Sequence, residues 1–481
     1  MKAQTIKASR EGLIKIQEAR EKSGLTVDSD RWLEQASKVL NPHWKKELYY
    51  APNISEGTWR RFLYGTARIN AEAFKAYCQV LSLDWQQLCE QRANPENELS
   101  ISFYAYDNGW VGREKLIVNL KSSLQSSCRI LVITGITGIG KTALAERLAI
   151  ELQSDWLLDS SNNFVQENFD VGERSDFASV AMDWLQTWGQ TVTSEERKDT
   201  QHLLNRVVKR LQEHQYLVLL DSLELILKGN EDEGWSGFQD EWWAKFLASL
   251  LAAGALKSRV IITSQELPEQ IPRYHNFWHC QFLSGLTELE RLLLFEKTGI
   301  DVNVETPHRN YLERIGTVYE GHPLALRVIA GELVNQPFYG NVVAYWKKYG
   351  KEIEEVEKAI EEARIQGITQ FADDDWRLAQ YSRNLRKYVR SRLQKTFERL
   401  EKDVYYAYLL LCSASVYRCP VPEDYWLNLL QQDCDDKQRQ IALDALHERY
   451  LVEEVVEKSQ YFLRQHNLVR SVALEHLKQM D

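Results

Sequence analysis

One eight-residue string constrains this 481-residue chain more than any other: Gly135-Ile136-Thr137-Gly138-Ile139-Gly140-Lys141-Thr142. The apolar run Ile130–Thr134 precedes it, and a helical pattern over residues 142–152 follows it. Glycines between a buried strand and a helix let backbone N–H groups curl around an anion, and the helix N-terminus adds its dipole. In this arrangement Lys141 reaches the β- and γ-phosphates of a nucleotide, and the Thr142 hydroxyl is a ligand for Mg²⁺. The pattern predicts binding of an adenine or guanine nucleotide. Its phosphate side comprises Gly135, Gly138, Ile139, Gly140, Lys141, Thr142 and Ala143.

Such a site needs an acid at the end of a second buried strand. Tyr216-Leu217-Val218-Leu219-Leu220-Asp221 supplies it, with Asp221 expected to hold Mg²⁺, usually through water. The next position, where hydrolysing relatives of this motif often carry a second acid, is Ser222. Glu224 is the nearest replacement, as a water-positioning carboxylate or as a solvated loop residue. With the runs at 130–134, 216–220 and 260–263, and helical stretches at 142–152 and 202–213, the pattern is a parallel α/β sheet.

The length suggests about three or four domains. No apolar run approaches the roughly 20 residues of a membrane span, and residues 1–20 mix charges at helical spacing rather than forming a leader. Seven scattered cysteines without a C-x-x-C pair point to a reducing cytoplasm without a structural zinc or disulfide framework. Charge is uneven. Residues 1–92 carry 15 Lys and Arg against 11 Asp and Glu, and the remainder 44 against 58. A basic head on an acidic body points to a nucleic-acid partner for the head, although an ordinary solvated surface gives the same balance.

Along the chain, residues 1–92 read as an all-α domain with helices at 6–20, 30–40, 55–63 (Ser55 as N-cap), 71–81 and 84–90. Residues 93–107 read as a linker around Asn94-Pro95-Glu96-Asn97-Glu98. The expected divisions then are a nucleotide-binding domain at 108–284, a helical subdomain at 285–375 and a last domain at 376–481. That last domain ends in a helix at 441–448, a hairpin of 451–456 with 461–465, and a helix at 468–477, which together read as a winged helix. The stretch 351–364 reads as a solvated helix. His275, His279 and Cys280 have metal-like spacing but no fourth ligand, so packing is the simpler expectation, as is one amphipathic helix for the Trp-rich stretch 235–246.

Four further strings follow in order: Trp110-Val111-Gly112-Arg113-Glu114, Ser258-Arg259-Val260-Ile261-Ile262-Thr263-Ser264-Gln265, Gly321-His322-Pro323-Leu324-Ala325-Leu326 and Gln465-His466-Asn467. With the phosphate loop they resemble the NB-ARC class of STAND nucleotide switches, which includes plant disease-resistance proteins and apoptotic protease activating factor. The resemblance covers about residues 108–481. It implies that Val111 and Arg113 pack on and bond to adenine, that Pro323 contacts adenine from the helical subdomain, and that His466 touches the ADP β-phosphate. Gln265 stands where the family has an arginine near the γ-phosphate, and Asn467 where it has an aspartate. The class also implies ATP/ADP exchange with Mg²⁺, self-association on activation, a winged helix acting as an internal latch, and a C-terminal sensor array. This sequence stops at Asp481, just after the winged helix.

Residues 1–92 resemble a lambda-repressor-like helix-turn-helix unit of the kind found in cyanobacterial STAND proteins. That resemblance makes Thr58, Arg60 and Arg61 candidates for contact with DNA, with Trp59, Phe62 and Leu63 packed inward. The same fold can serve as an adaptor that binds protein. The fold expected overall is multidomain α/β: a helix-turn-helix-like head, a P-loop NTPase parallel sheet, a helical subdomain and a winged helix. The expected function is an ADP/ATP-gated signalling switch regulating transcription. The alternatives are a scaffold that recruits an effector in bacterial defence or cell death, and a steadily hydrolysing ATPase motor.

Overall fold

The computed structural model describes residues 5–480 except 7, 24–28, 43, 46–49, 52–53, 55, 65–68, 90–109, 157–162, 171–174, 231–234, 266–275, 304, 371–373 and 458–459. The linker expected at 93–107, the Ser55 cap and His275 lie outside the described residues.

The head begins with β1 (Thr5–Ile6), followed by α1 (Arg10–Lys22), α2 (Arg31–Leu40), α3 (Glu56–Tyr64), β2 (Ile69–Asn70) and α4 (Ala71–Val80). Where a helix is expected at 84–90, the described residues 84–89 hold only the short 3-10 turn Trp85–Gln87. The β1–β2 pair, antiparallel with Ile6 opposite Ile69, is absent from the sequence expectation, because two-residue strands leave no periodic trace. Trp32, Trp59, Phe62, Phe74 and Tyr77 fill the centre, with Trp59 stacked on Trp32 at 4.8 Å between ring centroids.

The body runs α5 (Glu114–Gln125), β3 (Ile130–Thr134), α6 (Lys141–Asp155), β4 (Phe164–Asn168), α7 (Phe177–Thr187), α8 (Thr200–Glu213), β5 (Leu217–Asp221), β6 (Leu227–Asn230), β7 (Trp235–Phe238), α9 (Glu241–Ala252), β8 (Arg259–Ser264) and β9 (Trp278–Phe282). Five of its strands form a parallel sheet in the order β4-β5-β8-β3-β9. Burial on both faces explains the unbroken apolar runs of β3, β5 and β8. Alternate residues serve opposite cores: Leu131, Ile133, Leu217, Leu219 and Ile261 face α5 and α6, while Ile130, Val132, Val218, Leu220, Val260 and Ile262 face α7, α8 and α9. The Trp-rich stretch is not one helix. Trp235 lies on β7, paired with β6, and only from Glu241 does the chain turn helical, capped by Asp240. His279 and Cys280 sit exposed on edge strand β9, not packed as expected. Among the described residues no group of His, Cys, Asp and Glu could hold a metal by itself.

Helices then dominate: α10 (Glu288–Lys297), α11 (Arg309–Val318), α12 (Pro323–Val334), α13 (Val342–Gln370), α14 (Asp374–Asp403), α15 (Tyr405–Ser413), α16 (Glu423–Asn428) and α17 (Asp436–Glu448). The antiparallel hairpin β10 (Glu453–Glu457) and β11 (Gln460–Arg464) and helix α18 (Asn467–Met480) follow. Helix α14 runs across the division expected at 375/376. The core beneath α12, α14, α15 and α17 is continuous with the α5–α6 face of the sheet, so this C-terminal unit is packed onto the nucleotide-binding domain. Among the described residues no helix is long and apolar enough to cross a membrane.

Candidate nucleotide site

The phosphate loop connects the end of β3 to the start of α6. Gly138 and Gly140 have φ of 81° and 94°, the left-handed region that a side chain disfavours. A Cβ on Gly138 would come within 2.8 Å of His322 Cε1, and one on Gly140 within 3.0 Å of Arg113 Nη1. The cradle is therefore closed around its rim by side chains that need glycine there. Lys141 is 8% exposed, and its ammonium donates to the carbonyls of Gly135 (2.9 Å) and Ile136 (3.2 Å). Burial lowers its pKa, which Glu224 and Asp221 partly offset. These loop carbonyls hold the cation where phosphate oxygens would replace them.

Asp221 ends β5, buried. Its Oδ1 accepts from the Thr142 hydroxyl (2.8 Å) and from the Thr263 hydroxyl on β8 (2.5 Å). Burial raises its pKa despite these two donors, with Arg464 opposing the rise and Glu224 adding to it. A buried carboxylate joined to a threonine at the head of the P-loop helix is a hard-oxygen donor set suited to Mg²⁺. Ser222 adopts φ 63°, and its N–H donates to Thr263 Oγ1 at 3.0 Å. Glu224 is not a loose loop carboxylate. It accepts from the Gln265 backbone N–H (3.2 Å) and side-chain amide (2.8 Å), so the two residues at the strand ends orient each other.

Arg113 and His322 bind the loop itself. Arg113, also left-handed at φ 65°, donates through Nη2 to the carbonyls of Ile139 (2.8 Å) and Ser284 (3.1 Å), while its N–H donates to Glu290 at 2.6 Å. Burial brings its pKa down to about 10. Val111 is buried beside it. Pro323 occupies the first turn of α12, where its missing N–H costs nothing. The fully buried His322 caps that helix: Nδ1 accepts from the Ala325 N–H (3.3 Å), leaving Nε2–H to donate to Thr137 O of the loop at 3.0 Å. Burial pushes its pKa to about 3, so the imidazole is neutral.

The C-terminal unit brings a further set of groups to the site, only part of which the sequence marks. His466 accepts from the Leu468 N–H through Nδ1 at 3.2 Å. Burial lowers its pKa, opposed by Glu453, while Arg464, Lys141 and Arg327 lower it further. Arg464 pairs with Glu453 at 3.0 Å and acts on Asp221, Glu146 and Asp170. Burial brings the Glu146 carboxyl up to about 7, and its Oε2 has no hydrogen-bond partner among the described residues. Asp170 is raised by burial and held by Arg470 and the Asn467 side chain. Of these, only His466 and Asn467 had been singled out in the sequence. Arg464, Arg470, Glu146 and Asp170 carry no motif, and His322 sat unassigned inside one.

The head candidates fare differently. Thr58 and Arg61, expected on an exposed reading face, are 6% and 7% exposed. Arg61 Nη1 is paired with Asp444 Oδ1 on α17 at 3.1 Å. For Arg61 the reason is tertiary: its guanidinium meets the C-terminal unit at Asp444. The Arg60 side chain lies outside the described residues.

The sheet order, the glycine loop and the buried Asp221 define the class of the central domain, a P-loop NTPase fold. Residues 124–270 match the family model described as AAA domain. The chain is 32% identical over 356 residues to an uncharacterized WD repeat-containing protein of Nostoc sp. strain PCC 7120, covering 68% of this chain and 28% of that protein. It thus spans just over a quarter of the length of that relative. Among solved structures it is similar to a STAND protein with a tetratricopeptide repeat sensor from Pyrococcus horikoshii (16% identity, 76% of this chain and 42% of that chain, TM-score 0.41). It is also similar to a Walker-type ATPase of Pyrococcus abyssi (13% identity, 76% and 96%, TM-score 0.33).

Proposed function

We propose that this chain is an ADP/ATP-gated switch of the STAND class, NB-ARC type, whose C-terminal unit is a winged-helix latch over the nucleotide. The observation that carries the reading is the convergence of Arg464, His466, Asn467 and Arg470 on Lys141, Asp221 and Asp170. Groups from β11 and α18 act on the same loop and acid that would hold phosphate and Mg²⁺. Opening the latch removes them together. His322, neutral and bonded to Thr137, ties α12 to the phosphate loop, so a change in the loop is felt by the helical subdomain. ADP bound to the latched form and ATP to the open form bias the two states only if their affinities for them differ. The output is regulation of transcription by the head, residues 1–92, acting on DNA. With Ser222 in place of a second acid, hydrolysis is slow and serves to reset the switch.

The test is the nucleotide that co-purifies with the full chain, identified by chromatography after denaturation. Near-stoichiometric ADP is expected in the wild type and an empty site in Lys141→Ala, which deletes the phosphate-facing charge and little packing. Wild-type protein that neither retains nor binds ADP overturns the reading.

A further inference from the structure

Arg61 is a basic side chain of the head set into an acidic surface of the C-terminal unit. Its Nη1 lies 3.1 Å from Asp444 Oδ1, with the two side chains 8% and 26% exposed. Glu448, one turn further along α17, and Glu454 on β10 also act on the guanidinium. Burial by itself would lower its pKa, and the three carboxylates outweigh that and raise it. The same surface holds Glu423 of α16, whose carboxyl is raised by burial and by Asp444, Glu454 and Asp424. His447, between them on α17, is kept neutral by burial. Three carboxylates from two elements, Asp444, Glu448 and Glu454, thus act on a guanidinium that enters from another domain, with Glu423 of α16 beside them. A partly desolvated, like-charged cluster of this kind is unfavourable without its counterion.

A nucleic-acid backbone offers an arginine the same chemistry, anionic oxygens in a hydrogen-bonding array. We propose that the acidic face formed by α16, α17 and β10 is a docking surface for helix α3 of the same chain, and that DNA phosphates compete with it for Arg61. While the clasp is closed the head is held against the C-terminal unit, and the movement that opens the latch also frees α3. The contact links the nucleotide state to the output domain without any residue shared between the two sites. The DNA half of this inference rests on the reading proposed above, whereas the clasp itself does not.

The two halves separate in one experiment on the full chain. Hydrogen exchange of residues 56–64 and affinity for a random-sequence DNA duplex at low salt are measured for wild type, Asp444→Asn, Arg61→Glu, and Arg61→Glu combined with Asp444→Arg. Asp444→Asn should speed exchange in α3 and tighten DNA binding roughly fivefold or more, the low end of a coupling between sites. Arg61→Glu should speed exchange and weaken DNA binding, and the charge-swapped pair should regain wild-type protection. Faster exchange with no DNA binding by any variant keeps the clasp, overturns the DNA reading and leaves a protein partner for α3. Unchanged exchange in Asp444→Asn, or no recovery in the charge-swapped pair, overturns the clasp.

Discussion

His322 illustrates how much one side chain can be asked to do when it is fully buried. Its Nδ1 accepts the Ala325 N–H that opens α12, and its Nε2–H reaches Thr137 O, so both nitrogens are used only in the neutral tautomer. Its pKa in the fold is about 3, below the ordinary imidazole value of 6.5. The folded state therefore binds fewer protons than the unfolded chain between those limits. The contribution of His322 is fully present above the unfolded pKa and is lost as pH falls toward the folded one. At pH 5 the loss is about 2 kcal/mol. His447 and His466 shift the same way, while Glu146, raised to about 7, acts in the opposite sense. The His322 share is isolated by comparison with His322→Asn, whose amide can still cap α12. Urea titrations at pH 7.5 and 5 should show a smaller acid destabilisation in the variant by about 2 kcal/mol. Equal slopes would mean that His322 titrates normally.

At the scale of elements, the tie between α12 and α14 is ionic and buried. Glu332 on α12 is paired with Arg392 and, at 2.6 Å, with Arg399, both on α14. The Thr396 hydroxyl (2.7 Å) and the Tyr345 hydroxyl of α13 (3.2 Å) also donate to it. Burial would raise its pKa, but the two guanidiniums hold it below the usual range. The carboxylate accepts four hydrogen bonds, three on Oε2 and one on Oε1, which makes the cluster specific to one packing of three helices. Glu332→Gln removes the charge and leaves two arginines facing each other in the interior. It should cost about 3–5 kcal/mol, the range for breaking a buried pair by losing one partner, read from the denaturant midpoint. A loss below about 1 kcal/mol, the scale of a surface pair, would mean that water reaches the cluster.

For the whole molecule, the proposed switch makes the C-terminal unit part of the nucleotide site. His466→Ala deletes a side chain that acts on Lys141 in this arrangement and should speed ADP release. It should also move the protein toward larger species in size-exclusion chromatography with ATP present. An unchanged ADP off-rate together with an unchanged elution profile would remove His466 from the latch. Steady ATP turnover above about 1 s⁻¹, typical of working enzymes, would favour a motor over a switch.

The local elements were legible where a residue's chemistry and its neighbours in sequence decide the outcome. Strands β3, β5 and β8 are central and buried on both faces, so they read as apolar runs, and the glycines of the phosphate loop announce a conformation that other residues avoid. Edge strands β4 and β9 mix polar with apolar residues and so leave no apolar run in the sequence. The acid at Asp221 followed from its place at the end of an apolar run. Which charges meet was decided only by the tertiary structure. Arg464 and Glu146 are 318 positions apart, and Arg61 and Asp444 are 383 apart. No local pattern marks a residue whose partner is chosen by the docking of another domain. Arg61 looks like a solvated helix residue in sequence because its burial comes from α17, and a one-dimensional pattern carries no record of which surface will cover it.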